Sequence, residues 1–115
     1  MWGELVGALK LLGETVYPRT QAESAAGINE YAQGNSVGHI VNPYARPGDV
    51  RRYGAVSGDD PTATYSGNTA AIQAALNSNR RVFGFKPGEV YMTHTLWPLS
   101  SQVIDLNGAT LKLLA

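Results

Sequence analysis

The sequence predicts a mixed α/β chain, helical at its start and built of short stacked strands at its end. Three observations predict it. Apolar residues recur at three- and four-residue spacing near the N-terminus and again around Ile72. After Asn79 the chain breaks into short β-like runs separated by turns. Val103 follows Val82 by 21 positions, the spacing that one coil of stacked parallel strands requires.

Composition narrows the class. A chain of 115 residues fits one small domain, and such a domain buries about two-thirds of its unfolded surface. Nine basic and nine acidic residues balance, so no net field favours nucleic acid or an anionic membrane. The absence of cysteine excludes disulfides and thiolate metal sites. Glu4 stands where a secretory signal needs a basic residue, and Gly7 and Lys10 interrupt the apolar stretch from Leu5 to Leu12. That stretch is also too short to span a bilayer. Thirteen glycines and six prolines describe a soluble chain that turns often.

The elements follow in order. Trp2, Leu5, Leu9 and Leu12 form the apolar stripe of a first helix, which Gly7 and Gly13 weaken by about 1 kcal/mol each. Such a helix needs a partner surface. Pro18 ends it, and Thr20-Gln21-Ala22-Glu23 matches a capping box, with Gly27 at the left-handed C-terminal position. From Ile28 to Asp49 turn signals crowd together and no period is sustained. Val50 to Val56 reads as a short strand. A polar loop leads to a helix capped by Asn68 or Thr69, whose apolar face is Ile72, Ala75 and Leu76. Asn77-Ser78-Asn79 stops that helix. Strands are expected over Arg81–Phe85, Glu89–Met92, Thr95–Leu99, Gln102–Leu106 and Thr110–Leu114. One coil cannot bury its own core, and the pattern is still apolar at its end, so the chain is expected to be a piece of a longer protein.

Four ordered elements carry a family resemblance. Gly48-Asp49-Val50-Arg51-Arg52-Tyr53-Gly54-Ala55, then Asn68-Thr69-Ala70-Ala71-Ile72-Gln73, then Lys86-Pro87-Gly88-Glu89-Val90-Tyr91, then Gly108-Ala109-Thr110-Leu111 resemble the opening of pectate-lyase-like β-helix proteins. Two departures are clear: the loop from Ser57 to Gly67 lacks the family's regular Gly-Asp run, and Asn68 stands where an aspartate is usual. The stretch from Tyr17 to Gly27, placed before Gly48–Gly54, is similar to the start of many phage tailspikes and tail fibres. The resemblance implies a division into a virion-anchoring region, residues 1–49, and the start of a right-handed parallel β-helix, residues 50–115. It implies that Ile72, Ala75 and Leu76 close the N-terminal end of that β-helix, where open strand edges would otherwise aggregate. It further implies a homotrimer in the virion, contacts with other tail proteins, and host polysaccharide bound and often cleaved by later coils. Trp2, Leu5, Leu9, Leu12 and Tyr17 are then the candidates for virion docking or trimer contact.

Candidate chemistry has plain alternatives. Asp59 and Asp60 could flank a sugar as acid and base, but neighbouring aspartates in a loop form turns and point apart. Glu89 and Asp105 could meet only through folding. His39 and His94 stand far apart with no acidic cluster at ligand spacing, so no metal is expected. Arg51-Arg52 and Arg80-Arg81 could grip phosphate or acidic sugar, or alternate between solvent and a subunit contact. Tyr53, Tyr65, Tyr91 and Trp97 could stack on sugars, although core or trimer packing is the simpler reading. No catalytic residue and no cofactor are assigned, and no nucleic acid or membrane insertion is expected.

Overall fold

The computed structural model describes residues 15–29, 39–58 and 60–114. Trp2, Leu5, Leu9 and Leu12 lie outside them.

Helix α1, Gln21–Ala25, begins as its sequence dictates. The Glu23 amide donates to Thr20 Oγ1 at 3.0 Å, and the Thr20 amide donates to Glu23 Oε1 at 2.8 Å. Its end is closed by Gly27 at φ +80°, with the Gly27 amide on the Ser24 carbonyl and the Ile28 amide on the Glu23 carbonyl. Those two bonds satisfy carbonyls that the helix end would leave open.

Val50–Tyr53 is a short 3-10 helix rather than the expected strand. The cause is Asp49, whose side chain accepts from the Arg51 amide at 2.9 Å and so offers the backbone a helical turn. Gly54, left-handed at φ +99°, then turns the chain out.

Helix α2, Tyr65–Ser78, is capped four residues before Asn68, the earlier of the two expected caps. Thr64 is the N-cap and accepts from the Gly67 amide at 2.8 Å. Asn68 lies inside the helix and is buried. Its amide group accepts from the Val56 amide at 3.0 Å and donates to the Val56 carbonyl at 2.8 Å. The face of Ile72, Ala75 and Leu76 has no exposed surface and packs into a cluster with Val50, Tyr53, Val82, Phe85 and Tyr91.

Four short strands follow: β1 Arg81–Val82, β2 Val90–Thr93, β3 Val103–Ile104 and β4 Thr110–Leu113. They make two parallel two-stranded sheets, β1 with β3 and β2 with β4. Arg81 pairs with Val103, an offset of 22 residues, and Val90 pairs with Thr110, an offset of 20. The expected partner of Val103 was Val82, so that register is one residue away from the sequence reading.

No strand forms over Thr95–Leu99. Two glutamines take the backbone bonds there instead. Gln73 accepts from the Trp97 amide at 2.8 Å and donates to the Trp97 carbonyl at 3.0 Å. Gln102 accepts from the Leu99 amide and donates to the Leu76 and Asn79 carbonyls. A strand needs a neighbouring backbone; this loop has side chains in its place.

Candidate functional site: two sheet edges, one covered

The two sheets have unlike edges. On the β1 and β2 side, residues 48–58 lie along them. The Phe83 amide donates to the Gly48 carbonyl at 2.9 Å and the Val50 amide to the Phe83 carbonyl at 2.8 Å, in a parallel bridge of Asp49 with Phe83. Farther on, the Gly58 amide donates to the Val90 carbonyl at 2.7 Å. Asp49 crosses so close to the next turn that a Cβ on Gly84 would stand 2.1 Å from its Oδ1. A side chain at residue 84 would therefore displace the Asp49 carboxylate, which accepts from the Arg51 amide.

A buried polar cluster holds that segment in place. Arg52 and Glu23 are both without exposed surface. Arg52 Nε donates to Glu23 Oε2 at 2.7 Å and Nη2 to Oε1 at 2.8 Å, a bidentate pair. The other guanidinium donors reach the carbonyls of Tyr17 at 2.9 Å, Ala45 at 3.0 Å and Pro18 at 3.1 Å. All five Arg52 N–H groups are thereby used. Tyr53 donates its hydroxyl proton to Glu23 Oε2, and Asn79 Nδ2 donates to the Tyr53 oxygen at 3.0 Å. Burial alone would raise the pKa of Glu23; bonds from Arg52, Tyr53 and the Thr20 amide outweigh it and hold the carboxyl below its ordinary value of 4.5. The Tyr53 phenol is pushed up, by burial and by its bond to Glu23.

On the other side, no strand among the described residues pairs with the free edges of β3 and β4. Ile104, Leu106 and Leu111 rest only partly covered on the core, and Leu113 and Leu114 are 59% and 47% exposed.

The sequence candidates are placed as follows. Tyr17 is half-buried and tied down by its backbone, its amide donating to the Pro43 carbonyl at 2.8 Å. Asp59 lies outside the described residues, and Asp60 closes a turn by accepting from the Thr62 amide and hydroxyl at 2.8 and 2.6 Å. Asp105 pairs with Arg81 at 2.8 Å. Glu89 lies instead at the mouth of β2, in a shallow cleft with Lys112. His39 bridges to Asn29, and the His94 ring lies 5.5 Å from Tyr65. Among the described residues no three His, Cys, Asp or Glu side chains gather as a metal site would need.

Arg51 and Arg52 do not alternate along a strand to a subunit contact. Arg51 is exposed and clamps Asp49 at 2.6 Å, while Arg52 points into its own chain. Arg51 and Arg81 line a cleft of about 650 Å³ with Asp60, Phe83, Lys86 and Asp105, but both arginines already hold carboxylates there. Tyr53 and Tyr91 are core residues, with Tyr91 edge-on to Phe85 at 5.1 Å. Trp97 is not; 72% of it is exposed.

Sequence reasoning missed the Glu23–Arg52 pair and both glutamine clamps. Glu23 was legible as a capping residue, but nothing local joins it to an arginine 29 positions away. Comparison with family models, characterised proteins and solved structures finds no match to this chain.

Proposed function

We propose that the chain is the virion-attachment end of a phage tailspike, with a structural rather than catalytic role. The observation that carries the reading is the contrast between the two sheet edges. Parallel pairs offset by 22 and 20 residues are spaced as successive coils of a β-helix would be. One end is covered by residues 48–58 and by α2, and the other presents free strands and aliphatic side chains. A cap followed by a stacking surface is what the first coils of a β-helix need.

In this reading residues 1–49 fasten the spike to the tail, and three copies assemble. Recognition of host surface polysaccharide, and its cleavage by a lyase or hydrolase, belongs to later coils. The engagement of Asp60 in a turn and of Asp105 by Arg81 favours the structural role over an active site in this region.

The test is made in the phage. Leu5→Asp with Leu9→Asp is expected to leave particles without spikes, while the same spike, purified, still degrades polysaccharide. Particles that carry the doubly substituted spike at normal levels would refute attachment through this end.

A further inference from the structure

In the cleft of about 650 Å³ beside the covering segment, hydrogen-bond donors outnumber the acceptors left for them. Arg51, Arg81 and Lys86 line it together with Asp60 and Asp105, and Tyr91 is part of its wall. The carboxylates there are already engaged. Asp49, behind Arg51, accepts from the Arg51 amide and guanidinium. Asp105 accepts from Arg81 and from the Asn107 amide. Asp60 accepts from the Thr62 amide and hydroxyl.

The basic groups keep donors in reserve. Arg51 uses two of its five side-chain N–H groups on Asp49, and Arg81 uses one on Asp105. No carboxylate among the described residues pairs with the Lys86 ammonium. Tyr91 adds a buried donor. It is 3% exposed and its oxygen accepts from the Lys86 amide at 2.8 Å, but its own proton has no acceptor among the described residues. A buried phenol ordinarily finds a partner for that proton. Phe83, also in the wall, has the Arg81 guanidinium 5.2 Å from its ring centroid and the Arg46 guanidinium 5.8 Å from it. Two like charges gathered at one ring raise the local positive potential.

Counted with Asp49 and Arg46, four basic groups stand against three acidic ones, so net charge alone selects little. The donors decide the ligand. They come from separate elements: Arg51 from the 3-10 helix, Arg81 from β1, Lys86 from the turn after it and Tyr91 from β2. A planar carboxylate meets donors well from one side, whereas a phosphate presents three acceptor oxygens in three dimensions and up to two negative charges. We infer that this cleft binds a phosphate group, with Lys86 and the spare N–H groups of Arg51 and Arg81 on its oxygens and the Tyr91 hydroxyl donating from the wall. The site is separate from the attachment role and stands or falls without it.

Titration of the full chain, followed by nuclear magnetic resonance, tests it with inorganic phosphate, glucose 6-phosphate, glucose and acetate. Both phosphates are expected to saturate one site and to shift the Lys86 and Asn107 amides and the Arg51 and Arg81 Nε–H signals. Tighter binding of glucose 6-phosphate identifies the ligand as a phosphate ester, and tighter binding of inorganic phosphate identifies it as the free ion. Lys86→Gln is expected to keep its thermal midpoint, because that side chain is exposed and unpaired. It should weaken phosphate about tenfold, the size of one charge-assisted hydrogen bond. Undiminished affinity in Lys86→Gln overturns the inference. So does acetate that binds as tightly as phosphate, or glucose that produces the same shifts. Shifts that never saturate and appear equally at Arg19, Arg80 and Lys112 also overturn it, since they report counter-ions rather than a site.

Discussion

Glu23 is both the capping residue of α1 and the counter-ion of Arg52, and the two roles have different energetics. A cap contributes about 1 kcal/mol. A buried ion pair contributes little net, because desolvating two charges offsets their attraction, yet breaking it strands one charge in the interior. Arg52→Met is therefore expected to cost about 3–5 kcal/mol in urea denaturation. Arg52→Lys should recover only a minor share, since an ammonium has three donors where the guanidinium uses five. Acid acts through the same group. The folded-state pKa of Glu23 lies below 4.5, so its contribution is complete above that value and is lost as pH falls through 4.5 and then through the folded value. The chain should lose stability below about pH 4.5, and Glu23→Gln should be less stable at neutral pH but flatter in acid. A stability profile for Glu23→Gln as steep in acid as wild type would remove Glu23 from that account.

At the scale of elements, α2 does two jobs through different faces. Ile72, Ala75 and Leu76 fill the core, and Asn68 holds Val56 so that the chain beyond it reaches β2 at Gly58. Asparagine suits position 68 because it accepts from an N–H and donates to a C=O at once. Asn68→Asp keeps the shape but sets a carboxylate against the Val56 carbonyl in a buried site. A loss of about 2–3 kcal/mol is expected in thermal denaturation, with amide exchange at Gly58 accelerated. The helix itself was legible because its apolar face repeats at helical spacing, and so was the capping box of α1. Its start was not. Thr64 is followed by Tyr-Ser-Gly, a weak helical opening, so Asn68 looked like the better cap when its side chain was in fact needed elsewhere. Val50–Tyr53 misled for a similar reason: Val and Tyr are residues that strands favour, and the Asp49 side chain turns the stretch into a 3-10 helix. Thr95–Leu99 has strand-like composition, but which backbone stands beside it depends on Gln73 and Gln102, far off in sequence. Of the candidate site, the core-facing residues of α2 could be read from periodicity. The Glu23–Arg52 cluster could not, because ion pairs across 29 residues leave no local pattern.

For the whole molecule, the two sheets divide the backbone into amides with partners and amides without. Parallel strands direct alternate N–H groups to opposite sides. The Thr110 amide donates to the Glu89 carbonyl and the Leu114 amide to the Thr93 carbonyl, so these face β2. Leu111 and Leu113, between them, direct their amides to the free side of β4, where no strand of the described residues lies. β2 differs, with β4 on one side and Gly58 meeting Val90 on the other. Hydrogen exchange of the 115-residue chain as a monomer should thus alternate along β4, slow at Thr110 and Leu114 and at least tenfold faster, as an order-of-magnitude expectation, at Leu111 and Leu113. A strand stacked on β4, as the proposed function expects, would remove the alternation by supplying carbonyls to the same two amides. Alternation that persists in a longer spike would mean that β4 is a true edge and that nothing stacks on it. Uniform slow exchange there, with fast exchange in the isolated chain, would make β4 the template on which the rest of the body is laid.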